Sequence, residues 1–401
     1  MPELPEVEAQ RRTIEAATLG KQVTLLVATE QGGGPRDGEF DDKIVGEGVT
    51  PPELAAALQD KWVLAVKRRG KQLWVELSAT RGGACCGCLL LHFGMTGAVV
   101  IKGRDAPLYK KFSIDMSSWP PRFTKLELVF GDTSLAYTDP RRFGRILLRG
   151  PSPSDVPPLS ELAADPLTDP LPLANFAAAL RRKSAPIKAA LLDQGFAFCG
   201  VGNWVADEVL YQAGVLPSAP CNRLSDAQIE RTHAQVLAVC NVACAAGADA
   251  SAFPPGWLFH HRWQNQTSGS MDSPLGRIHF DTVGGRTTAF VPAKQKAAEG
   301  EPPPKEAKAS KKASATSKRR SSEIQGDEPT EAEAKPKAGR AAKRGKKVVA
   351  KELKTAVPAT EATEATEAKP KRRRGTKQAE ELKLERGAEP ATARRSRVRS
   401  G

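Results

Sequence analysis

The alternation of apolar and polar residues divides the chain into stretches of different character. Residues 3–19 carry apolar side chains at helical spacing and run into Gly20, a helix stop. Short β-rich runs follow at 23–28, 62–68, 72–77, 88–93, 98–101, 125–130, 134–138 and 146–148. Their turns contain Gly, Asp or Pro, which predicts an antiparallel sandwich or barrel rather than βαβ units. Prolines cluster at 151–158 as a linker, and residues 169–246 return to a helical pattern that Gly195, Gly200 and Gly202 interrupt. After Pro254-Pro255 a compact segment ends in two short runs around Gly284-Gly285, the signature of a β-hairpin. The expected class is α+β and multidomain. An antiparallel β-sandwich flanked by helices covers 1–150, a linker 151–168, a helical domain 169–252, a hairpin module 253–292 and a tail 293–401.

Composition sets the last boundary. The 401 residues have room for two or three domains, yet the formal net charge of +14 is spread unevenly. Residues 293–401 hold 30 Lys and Arg against 16 Asp and Glu, which leaves 30 against 30 for residues 1–292. The whole excess lies on the tail, so a nucleic-acid site elsewhere has to come from local clustering. With no Cys, Phe, Trp or Tyr and a single Ile, the tail has too little apolar surface to offset chain entropy and is expected to be disordered. Its Thr-Glu-Ala triplets at 360–368 are a low-complexity run. Basic blocks at 318–320, 343–347 and 369–374 read as import signals, DNA anchors or solvated chain. Import plus anchoring is the favoured account, and the nucleus the expected location.

Seven cysteines are an odd number. Cys85-Cys86-Gly87-Cys88 with His92 nearby invites a metal reading, but residues 89–93 look like a buried strand after a small-residue turn. A structural zinc site needs a second ligand pair, so free thiols in a reducing compartment are the simpler account and no metal is expected. No apolar run approaches the roughly 18 residues of a membrane span, and the N-terminus shows no signal peptide.

The chemistry concentrates in Pro2-Glu3-Leu4-Pro5-Glu6-Val7-Glu8. Proline in a first helical turn needs no N–H partner, and Glu suits the positive end of the helix dipole, so a helix start accounts for these residues unaided. Removal of Met1, which a small second residue permits, opens another reading: a secondary amine with carboxylates close behind it. A free α-amine has a reference pKa of about 8 and is partly unprotonated near neutrality. Such an amine forms a Schiff base with a sugar aldehyde carbon, as catalytic lysines do. Further on, Lys67, Arg68, Arg69 and Lys71 cluster, and on a strand Lys67, Arg69 and Lys71 share a face that suits phosphate.

Five motifs in order resemble those of the formamidopyrimidine-DNA glycosylases, the helix–two-turn–helix family that includes endonuclease VIII. They are the N-terminal run, Arg68-Arg69-Gly70-Lys71, His92-Phe93-Gly94-Met95-Thr96-Gly97, Asp139-Pro140-Arg141-Arg142-Phe143-Gly144, and Asp193-Gln194 leading into Gly200-Val201-Gly202-Asn203. The likeness runs from Pro2 to about Pro292 and looks most like the plant and algal branch. It implies a bifunctional glycosylase and abasic-site lyase, monomeric and without cofactor, acting on double-stranded DNA that contains oxidised bases or abasic sites. By this resemblance Pro2 attacks the sugar, Glu3 is the acid that helps open it, Glu6 orients the site, and Lys71 contacts phosphate beside the lesion. His92, Asn203 and Arg286 match phosphate-binding positions, although a lone His is also a common core residue and Asn after a glycine turn also caps helices.

Chemistry on a base takes it out of the stack, and something has to fill the gap. Met95, Arg141 and Phe143 match the residues that the family inserts. Their types suit insertion, being a flexible apolar filler, a planar guanidinium for the orphaned base and a ring that wedges a base step. Two departures stand out. The bacterial four-Cys zinc finger is missing, since no cysteine follows Cys244; residues 276–280 and 284–292 look instead like a zincless finger, stabilised by packing of Trp257, Trp263 and Phe290. The stretch between Ala246 and Phe259 is shorter than the bacterial loop that covers flipped 8-oxoguanine, which favours ring-opened or further oxidised purines and abasic sites. The rival from another class is a non-catalytic damaged-DNA or chromatin-binding protein that keeps the docking surface.

Overall fold

The computed structural model describes residues 2–107, 113–263 and 268–297, so the basic blocks and triplets of the tail lie outside the described residues. Helix α1 (Leu4–Thr18) opens with Pro5 in its first turn and a capping box between Glu3 and Glu6. Strand β1 (Leu25–Val27) follows, then α2 (Pro51–Leu58), β2 (Trp62–Arg69), β3 (Gln72–Ser78), β4 (Cys85–His92), β5 (Ala98–Ile101), β6 (Thr124–Phe130), β7 (Thr133–Thr138) and β8 (Arg145–Arg149). Every β-rich run became a strand. They form two antiparallel sheets, ordered β1-β6-β7-β5 and β2-β3-β4-β8. The inward residues of both sheets share one core, with Val7, Ile14 and Ala17 from α1 and Leu54 and Leu58 from α2. Apolar residues on alternate strand positions explain the sandwich.

The linker is not a loose spacer. Leu159 packs with Trp74, Cys88 and Leu90 on the outer face of the β2-β3-β4-β8 sheet, and Asp165 is fully buried. Residues 151–168 therefore strap the two domains together.

The helical domain comprises α3 (Leu173–Arg181), α4 (Ile187–Leu192), α5 (Asn203–Ala213) and α6 (Asp226–Ala245). Gly214, at φ 68°, ends α5 in the left-handed conformation that favours glycine. The hairpin module has three strands rather than two: β9 (Gly269–Met271), β10 (Ile278–Val283) and β11 (Arg286–Phe290). Gly284 and Gly285, at φ 61° and 72°, make the β10–β11 turn that two positive φ values require.

Its packing corrects the expectation. The hairpin core is Tyr211, Leu258, Ile278, Phe280, Ala289 and Val291. Trp257 belongs instead to the helical core, and Trp263 and Phe290 pack at that core's margin. A buried ion cluster fastens the hairpin to the helices: Asp207 on α5 pairs with Lys188 at 2.6 Å and Arg262 at 2.7 Å, and accepts the Ala289 amide at 3.1 Å. Folded contacts also run past Pro292. The Gln295 side chain accepts from Val291 N at 2.7 Å and donates to Val215 O at 2.9 Å, and Lys296 bridges Val215. Composition placed the tail boundary too early because these residues pack through backbone and amide bonds.

Candidate active site at the domain junction

Three chain segments converge: the start of α1, the β2–β3 turn and the turn before α5. Leu4 N donates to Gly200 O at 3.2 Å. A Cβ at Gly200, φ 86°, would lie 2.5 Å from Leu4 Cδ1, and one at Gly70, φ 56°, would lie 2.9 Å from Cys199 Cβ. Glycine is what permits this approach. Pro2 is buried immediately ahead of α1.

The Glu3 carboxylate reaches across the junction to α5. Its two oxygens accept the Trp204 and Val205 amides, each at 3.0 Å, and its side chain is enclosed. The N-cap position of α5 is Gly202, which has no side chain to offer, so a carboxylate from the other domain caps the helix. Asn203 stands one residue inside the helix and is not its cap.

Gly202 faces Glu3 closely: an added Cβ would meet Glu3 Cδ at 2.2 Å and Oε2 at 2.5 Å. Gly202 has φ −118°, which any residue adopts, so Gly202→Ala is not opposed by its backbone and acts by displacing the carboxyl. A displacement of this size costs about 10²-fold in a positioned reaction. The expected result is that loss in base excision with duplex binding retained, read by single-turnover assay and titration.

Glu6 lies beside Glu3. It accepts the Glu3 amide at 2.9 Å and Trp204 Nε1 at 3.0 Å, and burial, reinforced by the Glu3 charge, pushes its carboxyl up to about 7. Lys71 Nζ donates to Val201 O at 3.0 Å, and burial lowers its pKa; Glu3 opposes that shift and Arg286 adds to it. The charges of Glu3 and Arg286 thus both act on Lys71. Gln194 holds the turn, donating to Val201 O and accepting Gly200 N, both at 2.9 Å. Asn203 Nδ2 donates to Thr287 O at 2.9 Å, beside Arg286, while its buried Oδ1 has no hydrogen-bond partner among the described residues.

The basic stripe expected at 67–71 does not form. Lys67 pairs with Glu76 at 2.8 Å, and Arg69 donates to Ala163 O at 2.9 Å. Arg68 is buried between Glu8 and Asp165. Strand alternation ends at Arg69, and Gly70 bends the chain, so Lys71 alone of the four enters the site. Asp165 also accepts Gly70 N at 2.7 Å, which anchors the turn that carries Lys71. Sequence reading missed Asp165 and Trp204; Asp165 had no signal beyond an acidic residue in an apparent linker.

His92 pairs across the sheet with Gln72, next to Lys71, and its Nδ1 accepts Gly94 N at 3.3 Å. Burial, with Lys71 and Arg145, lowers its pKa to about 4, so the ring is neutral at pH 7. In the free protein His92 is therefore a neutral hydrogen-bonding group. His92→Asn is therefore expected to leave the salt dependence of DNA binding unchanged and to produce no altered inflection between pH 5.5 and 7.5. Arg286→Ala tests for a phosphate contact at that position: loss of one such contact is expected to lower the salt slope by about 0.9.

The loop that carries Met95 meets the loop that carries Arg141 and Phe143. A Cβ at Gly94 would lie 2.3 Å from the Phe143 carbonyl carbon, so the two loops touch through their backbones. Thr96 Oγ1 joins them by donating to Asp139 at 2.8 Å. Arg141 is exposed, with its guanidinium 5.1 Å from the ring of Phe143, itself 46 % exposed.

Comparison with known proteins covers both domains of this junction. Residues 1–146 match the Formamidopyrimidine-DNA glycosylase N-terminal domain, and residues 162–254 match the Formamidopyrimidine-DNA glycosylase H2TH domain. A formamidopyrimidine-DNA glycosylase of Arabidopsis thaliana is 38% identical over 298 residues, covering 74% of this chain and 71% of the relative. One from Exiguobacterium is 31% identical over 302 residues, covering 73% and 98%. Among solved structures, MutM (Fpg) from Thermus thermophilus aligns with a TM-score of 0.53 at 27% identity, over 74% of this chain and all of that one. MutM in complex with carbocyclic 8-oxo-G containing DNA aligns at 0.57 and 26% identity, with the same coverage. The N-terminal Pro-Glu run, the glycine turn ahead of α5 and the paired loops that carry Met95 and Phe143 thus lie within stretches shared by sequence and by fold, and the chain belongs to the formamidopyrimidine-DNA glycosylase family.

Proposed function

We propose that this protein is a bifunctional DNA glycosylase and abasic-site lyase of base-excision repair, acting through the amine of Pro2 after removal of Met1. The observation that carries the reading is the gathering of Pro2, Glu3, Glu6 and Lys71 under the amide end of α5. In this scheme the Pro2 nitrogen attacks C1′ of the damaged nucleotide, the bond to the base breaks, and the base leaves with a proton. Glu3 supplies the proton that opens the sugar ring, held in place by the two α5 amides. The resulting iminium draws electrons from C1′, so the C2′ proton becomes acidic and the 3′ phosphate leaves by β-elimination. A second elimination releases the 5′ phosphate. Lys71, His92, Asn203 and Arg286 contact phosphate, and Met95, Arg141 and Phe143 occupy the space that the base vacates.

Ring-opened and further oxidised purines are the substrates favoured. In support, within the short stretch after α6, Phe253 stacks on Trp204 with ring centroids 5.7 Å apart and Trp257 packs tilted against it at 6.5 Å. They are committed to the helical core rather than to covering a flipped base. A nuclear location is proposed from the basic blocks beyond the described residues. The test is excision and nicking on duplexes that carry a ring-opened purine, 8-oxoguanine or an abasic site. Release of the ring-opened base with phosphate at both sides of the gap supports the scheme. Tight binding to every lesion with no strand cleavage would establish the non-catalytic alternative.

A further inference from the structure

We propose that Arg142 is a positioning residue for the insertion loop, acting through a buried ion cluster of Asp41, Lys125 and Glu30. The proposal rests on the reading of Arg141 and Phe143 as the residues that enter the duplex, and gives a role to the residue between them. Arg142 has φ 56°, the left-handed region that a non-glycine side chain adopts rarely. Its side chain turns back to the sandwich, where Nε and Nη2 make two bonds of 2.8 Å to the Asp41 carboxylate. Paired guanidinium–carboxylate bonds fix orientation as well as distance.

Behind Asp41 the cluster continues inward. Lys125 Nζ lies 3.1 Å from Asp41 and also pairs with Glu30. Asp41, Lys125 and Glu30 are each at most 2 % exposed, and the two cations balance the two carboxylates. Burial alone would raise the Asp41 carboxyl, but hydrogen bonds from Arg142 and Lys125 bring it to about 2. The anchor is ionised throughout the neutral range.

The loop is held on its other flank too. Asp139, fully buried, accepts Arg141 N at 3.3 Å, Gly144 N at 2.7 Å and the Thr96 hydroxyl at 2.8 Å. With the middle residue drawn inward, its two neighbours are presented outward together. A loop fixed before binding loses less freedom on binding, so more of the contact energy remains for opening the duplex. The motif gave no hint of this, because Glu30, Asp41 and Lys125 lie outside every motif that marked the trio.

The experiment compares wild type, Asp41→Asn, Arg142→Gln, the double variant and Phe143→Ala on two substrates. One is a lesion-bearing duplex, where a base has to leave the stack; the other is a single-stranded abasic oligonucleotide, where nothing is inserted. Asp41→Asn and Arg142→Gln are each expected to slow duplex excision by about 10–100-fold, the scale of a misplaced contact, with single-strand cleavage within about two-fold of wild type. The double variant is expected to match Arg142→Gln, since both remove one link, and the salt slope of duplex binding stays at its wild-type value. Additive losses with a salt slope lower by about 0.9 would overturn the proposal and make Arg142 a phosphate contact. Equal losses on both substrates would also overturn it, by reducing the cluster to a general prop of the fold. If Phe143→Ala leaves duplex excision unchanged, the insertion reading itself fails; if only Phe143→Ala matters, the positioning proposal fails alone.

Discussion

Replacing Glu3 by Gln is expected to slow single-turnover base excision by about 10²–10⁴-fold, the range that a positioned general acid supplies. Glutamine keeps the shape but has no proton to transfer. It also turns one of the two acceptors that face the Trp204 and Val205 amides into a donor. Loss of a cap costs about 0.5–2 kcal/mol, which is too little to account for the kinetic effect. Cleavage of a preformed abasic site, where no base has to leave, is expected to suffer less than excision. The check is a single-turnover assay on both substrates alongside thermal unfolding. Excision that falls only in proportion to lost stability would show Glu3 to be a cap and nothing more.

The second large effect concerns stability. Asp165→Ala is expected to remove about 3–5 kcal/mol, because it leaves a buried guanidinium without its main partner. Arg68 keeps Glu8 at 3.1 Å but loses Asp165, and the Gly70, Leu167 and Thr168 amides lose their acceptor. Burial alone would raise the Asp165 carboxyl; the bonds and charge of Arg68, with the Gly70 and Leu167 amides, hold it below the usual value. A carboxylate depressed in the folded state contributes fully above its unfolded pKa, near 4, and that contribution fades as pH falls through the folded value. The gap between variant and wild type is thus expected to be full at pH 7 and to narrow in acid. Urea unfolding at both pH values measures it, and strand cleavage is expected to fall as well, since Asp165 anchors the Gly70 turn that carries Lys71. A variant of wild-type stability at pH 7 would show that the strap does not hold the domains.

What the sequence made legible was local. Strands followed from alternation, the α1 start from Pro and Glu within one turn, and the β10–β11 turn from Gly284-Gly285. Helix α2 escaped notice because only Leu54 and Leu58 of its eight residues are buried, although Thr50 and Glu53 spell a capping box around Pro51 and Pro52. Strand β9 is three residues, Gly-Ser-Met, with no β-forming pattern.

The misreadings arose where partners are distant in sequence. Arg68 looked like one member of an exposed basic cluster because its partner Asp165 lies 97 positions away in a proline-rich stretch. Trp204 meets Glu6 across 198 positions, and the α5 cap comes from Glu3 rather than from a residue next to the helix. The motif residues Glu3, Glu6 and Lys71 meet beside the start of α5, but the supporting residues Asp165, Trp204 and Asp41 became visible only in the fold.

The central claim is that the Pro2 amine forms the imine. Its most direct test is borohydride reduction of the protein with an abasic duplex, followed by mass spectrometry of the cross-linked peptide. The account predicts a chain that begins at Pro2, with the reduced sugar attached to the Pro2 nitrogen, and a cross-link that disappears when Pro2→Gly is combined with Glu3→Gln. Attachment at Lys71 or any other lysine, a retained or blocked Met1 in an active preparation, or an undiminished cross-link in the double variant would contradict it.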